Sequence, residues 1–192
     1  MATTQLYLIR HGETEENVAG ILQGHLPGRL TARGRQQAIT LAEDLSDSGF
    51  DALVASDLAR ASETARLMGE RWGMKAELTP LLRERDWGSL TGRPAKGVDS
   101  RHLPSDTESI DDMAARAAQF LHWAVSHYEG QRVAVVTHGL FARCIQAVAS
   151  GLTIGEVPRM ANTEVRRLDI TDAPTDSGRG VVVSGPDVVS AN

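Results

Sequence analysis

Arg10 and His11 stand directly after the apolar run LYLI at residues 6–9, Arg60 stands five positions after ALVA at 52–55, and His138 follows VAVVT at 133–137. A neutral imidazole can attack phosphorus, and a guanidinium grips phosphoryl oxygens two at a time through its planar fork. Two arginines and two histidines brought to one place would therefore hold a phosphoryl group and leave an imidazole free for in-line attack. A close guanidinium also disfavours imidazolium, so Arg10 and Arg60 should help to keep His11 unprotonated. Phosphoryl transfer asks a protein mainly for positioning and charge stabilisation.

These side chains meet only if the three runs are strands of one sheet, because ligands of open α/β sheets bind beyond the carboxyl ends of the strands. The pattern between the runs is helical. Thr31 is the expected cap of a helix carrying Gly34, Ala38, Leu41, Ala42 and Leu45, with Gly49 as its stop. Ser56 or Asp57 can cap a second helix, with the stripe Leu58, Ala61, Ala65, Met68 and Trp72. Ser109, followed by Asp112, opens a long stripe running from Ile110 and Met113 through Phe120 and Leu121 to Tyr128, and Gly130 ends it. A further helix is expected from near Gly139 to Gly151, with its amino end behind His138. Such helix ends would add backbone N–H groups and partial positive charge to the crevice.

Residues 77–79 read as a short strand, 82–107 as an ordered functional loop, and 163–170 and 180–184 as strands joined by the turn-rich TDAPTDSGRG. The last residues are expected to fray. Without an internal repeat or linker, residues 1–192 read as one domain. Strands alternating with helices predict an α/β three-layer sandwich: a mostly parallel central sheet, helices on both faces, and an antiparallel edge strand near the C-terminus.

Composition narrows the partners. At 41% hydrophobic and 23% charged residues the chain reads as an ordinary globular protein. A net charge of −5 gives no general attraction to nucleic acid or to an anionic membrane surface, so any anion site must be local. The positive charge is almost all arginine, with Lys75 and Lys96 the only lysines. Cys144, the single cysteine, falls in an apolar helical pattern and reads as a small buried hydrophobe. The opening MATTQLYLIR has no basic region before a long apolar stretch, and no window is long enough for a membrane span, which predicts a cytoplasmic protein. His122 and His127 lie five apart on a helix without acidic or cysteine partners at ligand spacing, so no metal is assigned. His25 and His102 read as solvated loop residues that could border the crevice, and Trp87 reads as a loop anchor.

The motifs form a longer set. LIRHGETEEN at 8–17, SDLARASETA at 56–65, LRERDWGSLTG at 82–92, TES at 107–109, VVTHG at 135–139 and NTEV at 162–165 resemble, in order, the motifs of the histidine phosphatase superfamily. That superfamily includes the cofactor-dependent phosphoglycerate mutases, and the resemblance spans residues 6–170. It implies that His11 is phosphorylated, that Arg10, Arg60 and His138 hold the phosphoryl group, and that Asn17, Gln23 and Gly24 line the substrate side. It also implies that Glu84 is the general acid and base. On its own Glu84 reads more readily as an exposed loop acid paired with Arg83 or Arg85, and Asp86 is its close rival. A carboxyl in that role would protonate a leaving alkoxide and then deprotonate the water that hydrolyses phosphohistidine.

Only 25 positions separate Glu84 from Ser109, whereas the mutases resembled here carry a longer basic and aromatic insertion. A shorter loop encloses the intermediate less and lets water in. The expectation is therefore a phosphatase acting on a small phosphomonoester, with no metal and no cofactor. A mutase-type phosphotransferase and a non-catalytic phospho-ligand binder are the alternatives. TES in place of the commoner GES, and HGL in place of HGG or HGE, blur the substrate. Residues 93–106 are expected to wall it, and neither the ester nor the oligomeric state is legible.

Overall fold

The computed structural model describes residues 2–175 and 178–189. Its sheet runs β3-β2-β4-β1-β5-β6, with β1 Thr4–Arg10, β2 Ala52–Ser56, β3 Glu77–Thr79, β4 Arg132–Thr137, β5 Val165–Thr175 and β6 Gly178–Val189. The first four of these neighbours are parallel, and β5 and β6 are antiparallel additions beside β1.

Side chains alternate across a strand. Leu6 and Leu8 of β1 therefore face one way, against α4 (Ile110–His127) and α5 (Gly139–Ser150), while Tyr7 and Ile9 face α2 (Ala32–Asp44) and α3 (Ala59–Trp72). Covering both faces is why β1, β2 and β4 read as continuous apolar runs, and the helices lie on both sides as expected.

Register then sets the crevice. Arg10 pairs with Thr137, and Ala55 with Val136, so His11 and His138 leave adjacent strand ends and Ser56 stands beside them. Behind His11 the loop presses on the first turn of α2, where a side chain on either Gly12 or Gly34 would collide with the other segment's backbone. No other residue allows that approach.

Several local expectations change. The helix capped by Thr31 stops at Asp44, and a 3-10 turn at Ser46–Ser48 precedes Gly49. Neither Ser56 nor Asp57 is the cap residue of α3; Leu58 holds that position without a side-chain cap. Ile110 is 45% exposed rather than part of the buried stripe of α4. A short helix, α1 (Glu15–Ala19), was not expected, although Thr14 caps it and Asn17 closes a capping box. Strands β5 and β6 run into the stretch read as a turn, pairing as far as Thr175 with Gly178. Edge pairing tolerates the prolines: Pro186 of the edge strand lies next to the register shift between Leu168 and Asp169. Fraying of the last residues concerns 190–192, which lie outside the described residues.

Candidate active site

His11 is 3% exposed, on the loop after β1 but inside the protein. Its Nδ1 donates to the Gly12 carbonyl at 2.7 Å, because that partner can only accept. Its Nε2 accepts from Arg60 Nε at 3.3 Å. The two bonds together describe a neutral ring whose lone pair is on Nε2. Burial above all, then Arg60, holds its pKa well below the usual histidine range.

Arg60 is itself buried, and Nη1 and Nη2 donate to the carbonyls of Leu26 at 2.6 Å and Gly24 at 2.9 Å. Burial lowers its pKa to about 10. The fork is thus anchored to the chain, and each terminal nitrogen keeps only one further hydrogen for an anion. Arg10 is freer: Nη1 donates to Met160 O at 2.6 Å, and the buried Nε has no partner.

His138 lies beside His11, ring centroids 5.3 Å apart. Ser56 Oγ accepts from Leu58 N and lies 2.8 Å from His138 Nε2, and the buried His138 Nδ1 has no partner. Burial, then Arg60, holds this imidazole neutral too.

Glu84 pairs with neither Arg83, which binds Asp57, nor the guanidinium of Arg85, which donates to Glu108 O. Its carboxylate accepts from the amides of Arg85 at 2.9 Å, Leu140 at 3.2 Å and Phe141 at 3.1 Å. The amino end of α5 is thereby occupied by Glu84, and Arg60 N in the first turn of α3 donates to Pro27 O. The helix amides expected to greet an anion are therefore mostly taken.

A cavity of about 510 Å³ brings Arg10, His11, Arg60 and Glu84 together with Asn17, Gln23 and Gly24, whereas the fully buried His138 is not in its lining. The three residues expected on the substrate side differ in what they can offer. The Asn17 amide oxygen accepts from Thr14 N and Asn162 Nδ2. Gly24 gives its carbonyl to Arg60, and the buried Gln23 Oε1 has no partner. Asp86 is not in the lining. Of residues 93–106 only Ala95 and Ser100 reach the cavity, so the expected wall is built largely elsewhere, with Trp87, Ile110, Leu140, Arg143 and Arg159 in the lining. His102 pairs with Asp99, and His25 holds the Glu84 carbonyl at 3.0 Å.

Supporting residues escaped the sequence reading, although all but Arg116 lie inside the matched motifs. Asn162 donates to His11 O at 2.9 Å, and Thr64 accepts from Gly12 N while donating to Arg60 O. The central Glu108 of TES forms an ion pair with Arg116 at 2.9 Å, both mostly buried, and accepts from Asp86 N. Arg116 donates to Arg83 O at 2.6 Å and lies over the Phe141 ring. That pair clamps both sides of Glu84.

The sequence matches the profile described as "Histidine phosphatase superfamily (branch 1)" over residues 6–177. The chain belongs to this superfamily. A superfamily relative from Enterobacter sp. (strain 638), named "Probable phosphoglycerate mutase GpmB", is 31% identical, the match covering 96% of this chain and 93% of the relative. A mycobacterial glucosyl-3-phosphoglycerate phosphatase in complex with VO3 superposes with TM-score 0.82 at 28% identity, over 96% of this chain and 97% of that one. The alpha-ribazole phosphatase of Shigella flexneri gives TM-score 0.77 at 28% identity, over 93% and 95%. Among the described residues no group of His, Cys, Asp or Glu could hold a metal ion, and no helix is long and apolar enough to cross a membrane.

Proposed function

We propose that this superfamily member is a metal-independent phosphomonoester hydrolase acting on a small phosphorylated molecule through a phosphohistidine at His11. The observation that carries the reading is the buried neutral ring of His11, with its Nε2 lone pair facing Arg60. Nε2 attacks phosphorus, forming an N–P bond as the ester P–O bond breaks. The carboxyl proton of Glu84 passes to the leaving oxygen. Water then attacks phosphorus, Glu84 takes back a proton, and the N–P bond breaks to release phosphate and restore the lone pair. The remaining donors of Arg10 and Arg60 neutralise the phosphoryl charge in place of a cation, with His138 beside His11 as the further phosphoryl-holding residue that the family resemblance implies. Asn17 and Gln23 face the ester group, and Gly24 contributes by anchoring Arg60.

Hydrolysis is preferred to transfer because the segment between Glu84 and Ser109 is short, and the phosphatases named above superpose along nearly the whole chain. A mutase reading draws on the name carried by the 31% identical relative. All five proposed catalytic positions are filled, which argues against a mere binder. The test is turnover of a panel of sugar phosphates, nucleotides, phosphoglycerates and phosphopeptides in EDTA. Release of inorganic phosphate is expected. Transfer between phosphoglycerates without net release would support the mutase reading, and activity that EDTA abolishes and added metal restores would refute metal independence.

A further inference from the structure

Resting on that reading, we propose that Arg143 and Arg159 form a second anion subsite in the same cavity, so that the preferred ester carries a carboxylate or a further phosphate besides its reacting phosphoryl group. The lining holds Arg10, Arg60, Arg85, Arg143 and Arg159 against one acid, Glu84, in a chain whose net charge is −5. Arg10 and Arg60 belong to the floor around His11. Arg85 is committed to Glu108 O and lies over the Trp87 ring. Among the described residues, Arg143 and Arg159 are left without a carboxylate partner.

Arg143 follows Leu140 by three positions on α5, so both face the cavity from one side of the helix. Its Nε and Nη2 donate to the carbonyls of Val157 at 2.8 Å and Ile154 at 2.6 Å, which leaves Nη1 for a ligand. Burial, then the charges of Arg159 and Arg166, lowers its pKa below the arginine norm. Glu84 offsets this only in part, and a bound anion would relieve the remaining repulsion.

Arg159 is exposed at the rim, and among the described residues it makes no ion pair or side-chain hydrogen bond. An ordinary surface arginine would also look free. The difference lies in the backbone that carries it. Arg166, 5% exposed and paired with Glu164, donates to the carbonyls of Pro158 and Arg159 at 3.0 Å each, and Arg10 holds the next carbonyl, of Met160. The loop is thus fixed by guanidiniums on either side of position 159. A cation rooted in a pinned backbone loses less entropy when it binds. Leu140, Ile110 and Trp87 line the same wall.

The test compares propyl phosphate with the phosphate ester of 3-hydroxypropanoate and with propane-1,3-diyl bisphosphate, in wild type, Arg159→Gln and Arg159→Glu. Wild type should prefer the esters with a second anionic group, and which one it prefers names the anion. The ratio of kcat/KM for these esters over propyl phosphate should fall about 10- to 100-fold in Arg159→Gln and further in Arg159→Glu. An unchanged ratio would overturn the subsite while leaving the hydrolase reading in place. Calorimetric titration with 3-phosphonopropanoate and propylphosphonate reads the same preference without turnover. If no ester is hydrolysed, the hydrolase reading fails, yet a charged-ligand preference lost in Arg159→Gln would still uphold the subsite, and no such preference would overturn it.

Discussion

His11 and His138 stand side by side because Arg10 and Thr137 are register partners on neighbouring strands, whereas Glu84 reaches the same cavity on a loop. The floor is held by backbone pairing and by short contacts to carbonyls, with Arg60 tied to Leu26 and Gly24. The loop is held by the Glu108–Arg116 ion pair, which grips the chain at Arg83 and Asp86. A strand end tolerates change at distant residues, while a clamped loop depends on each member of its clamp. Substitutions should therefore separate the two regions.

The largest effect belongs to the floor. His11→Ala should lower turnover by roughly 10⁴-fold or more and abolish the phosphoenzyme, measured by initial rates and intact mass. Because His11 is buried, its circular dichroism and melting curve must be recorded alongside. Normal turnover in a folded variant would remove the floor from the chemistry.

Glu84→Gln comes next. Alkyl phosphates, whose leaving oxygen needs a proton, should lose roughly 10²- to 10⁴-fold, and esters of acidic phenols should lose less in the first step. Phosphohistidine should then accumulate as a burst, because water activation uses the same carboxyl. Equal losses on both esters without a trapped intermediate, or a greater loss in Asp86→Asn, would show the wrong carboxylate or the wrong role.

Glu108→Gln probes the clamp. It should cost about tenfold in kcat with KM nearly unchanged, and the loss should be larger for alkyl than for phenolic leaving groups. Breaking a mostly buried pair also destabilises, by roughly 3 kcal/mol. An equal loss on both leaving groups would reduce the pair to a structural brace.

The smallest effect is on stability against pH. Burial holds His11 and His138 neutral, with folded pKa values below that of the unfolded chain. Below about pH 6.5 the unfolded state therefore binds more protons, so stability is full above that pH and falls as pH drops. Urea unfolding at pH 7.5 and 5.5 should show a loss of about 2 kcal/mol, smaller in His138→Asn. A stability that rises on acidification would contradict the assignment.

How much of this was legible follows the same division. The strand ends were readable because β1, β2 and β4 are covered on both faces and so appear as unbroken apolar runs that stop at Arg10, Ser56 and Thr137. Arg60 and Glu84 were recognisable as types within motifs, and Gln23 and Gly24 only through what the resemblance implies. What each one touches was not, because the carbonyls that anchor Arg60 and the amides that hold Glu84 come from segments distant in sequence. Ile110 kept the helical period and yet lies at the cavity, since periodicity does not say where a helix emerges from the core. Strands β5 and β6 were underestimated because Pro174 and the glycines read locally as a turn, while antiparallel pairing carries the strands through them.

The most direct test of the account is rapid acid-free quench of the wild-type enzyme with a phenolic phosphomonoester, followed by mapping of the phosphorylated peptide. The account predicts one phosphoryl group, labile in acid and stable in base, on His11 Nε2, formed and consumed fast enough to support turnover. Phosphate release with no such species, or a phosphoryl group on His138, would contradict it.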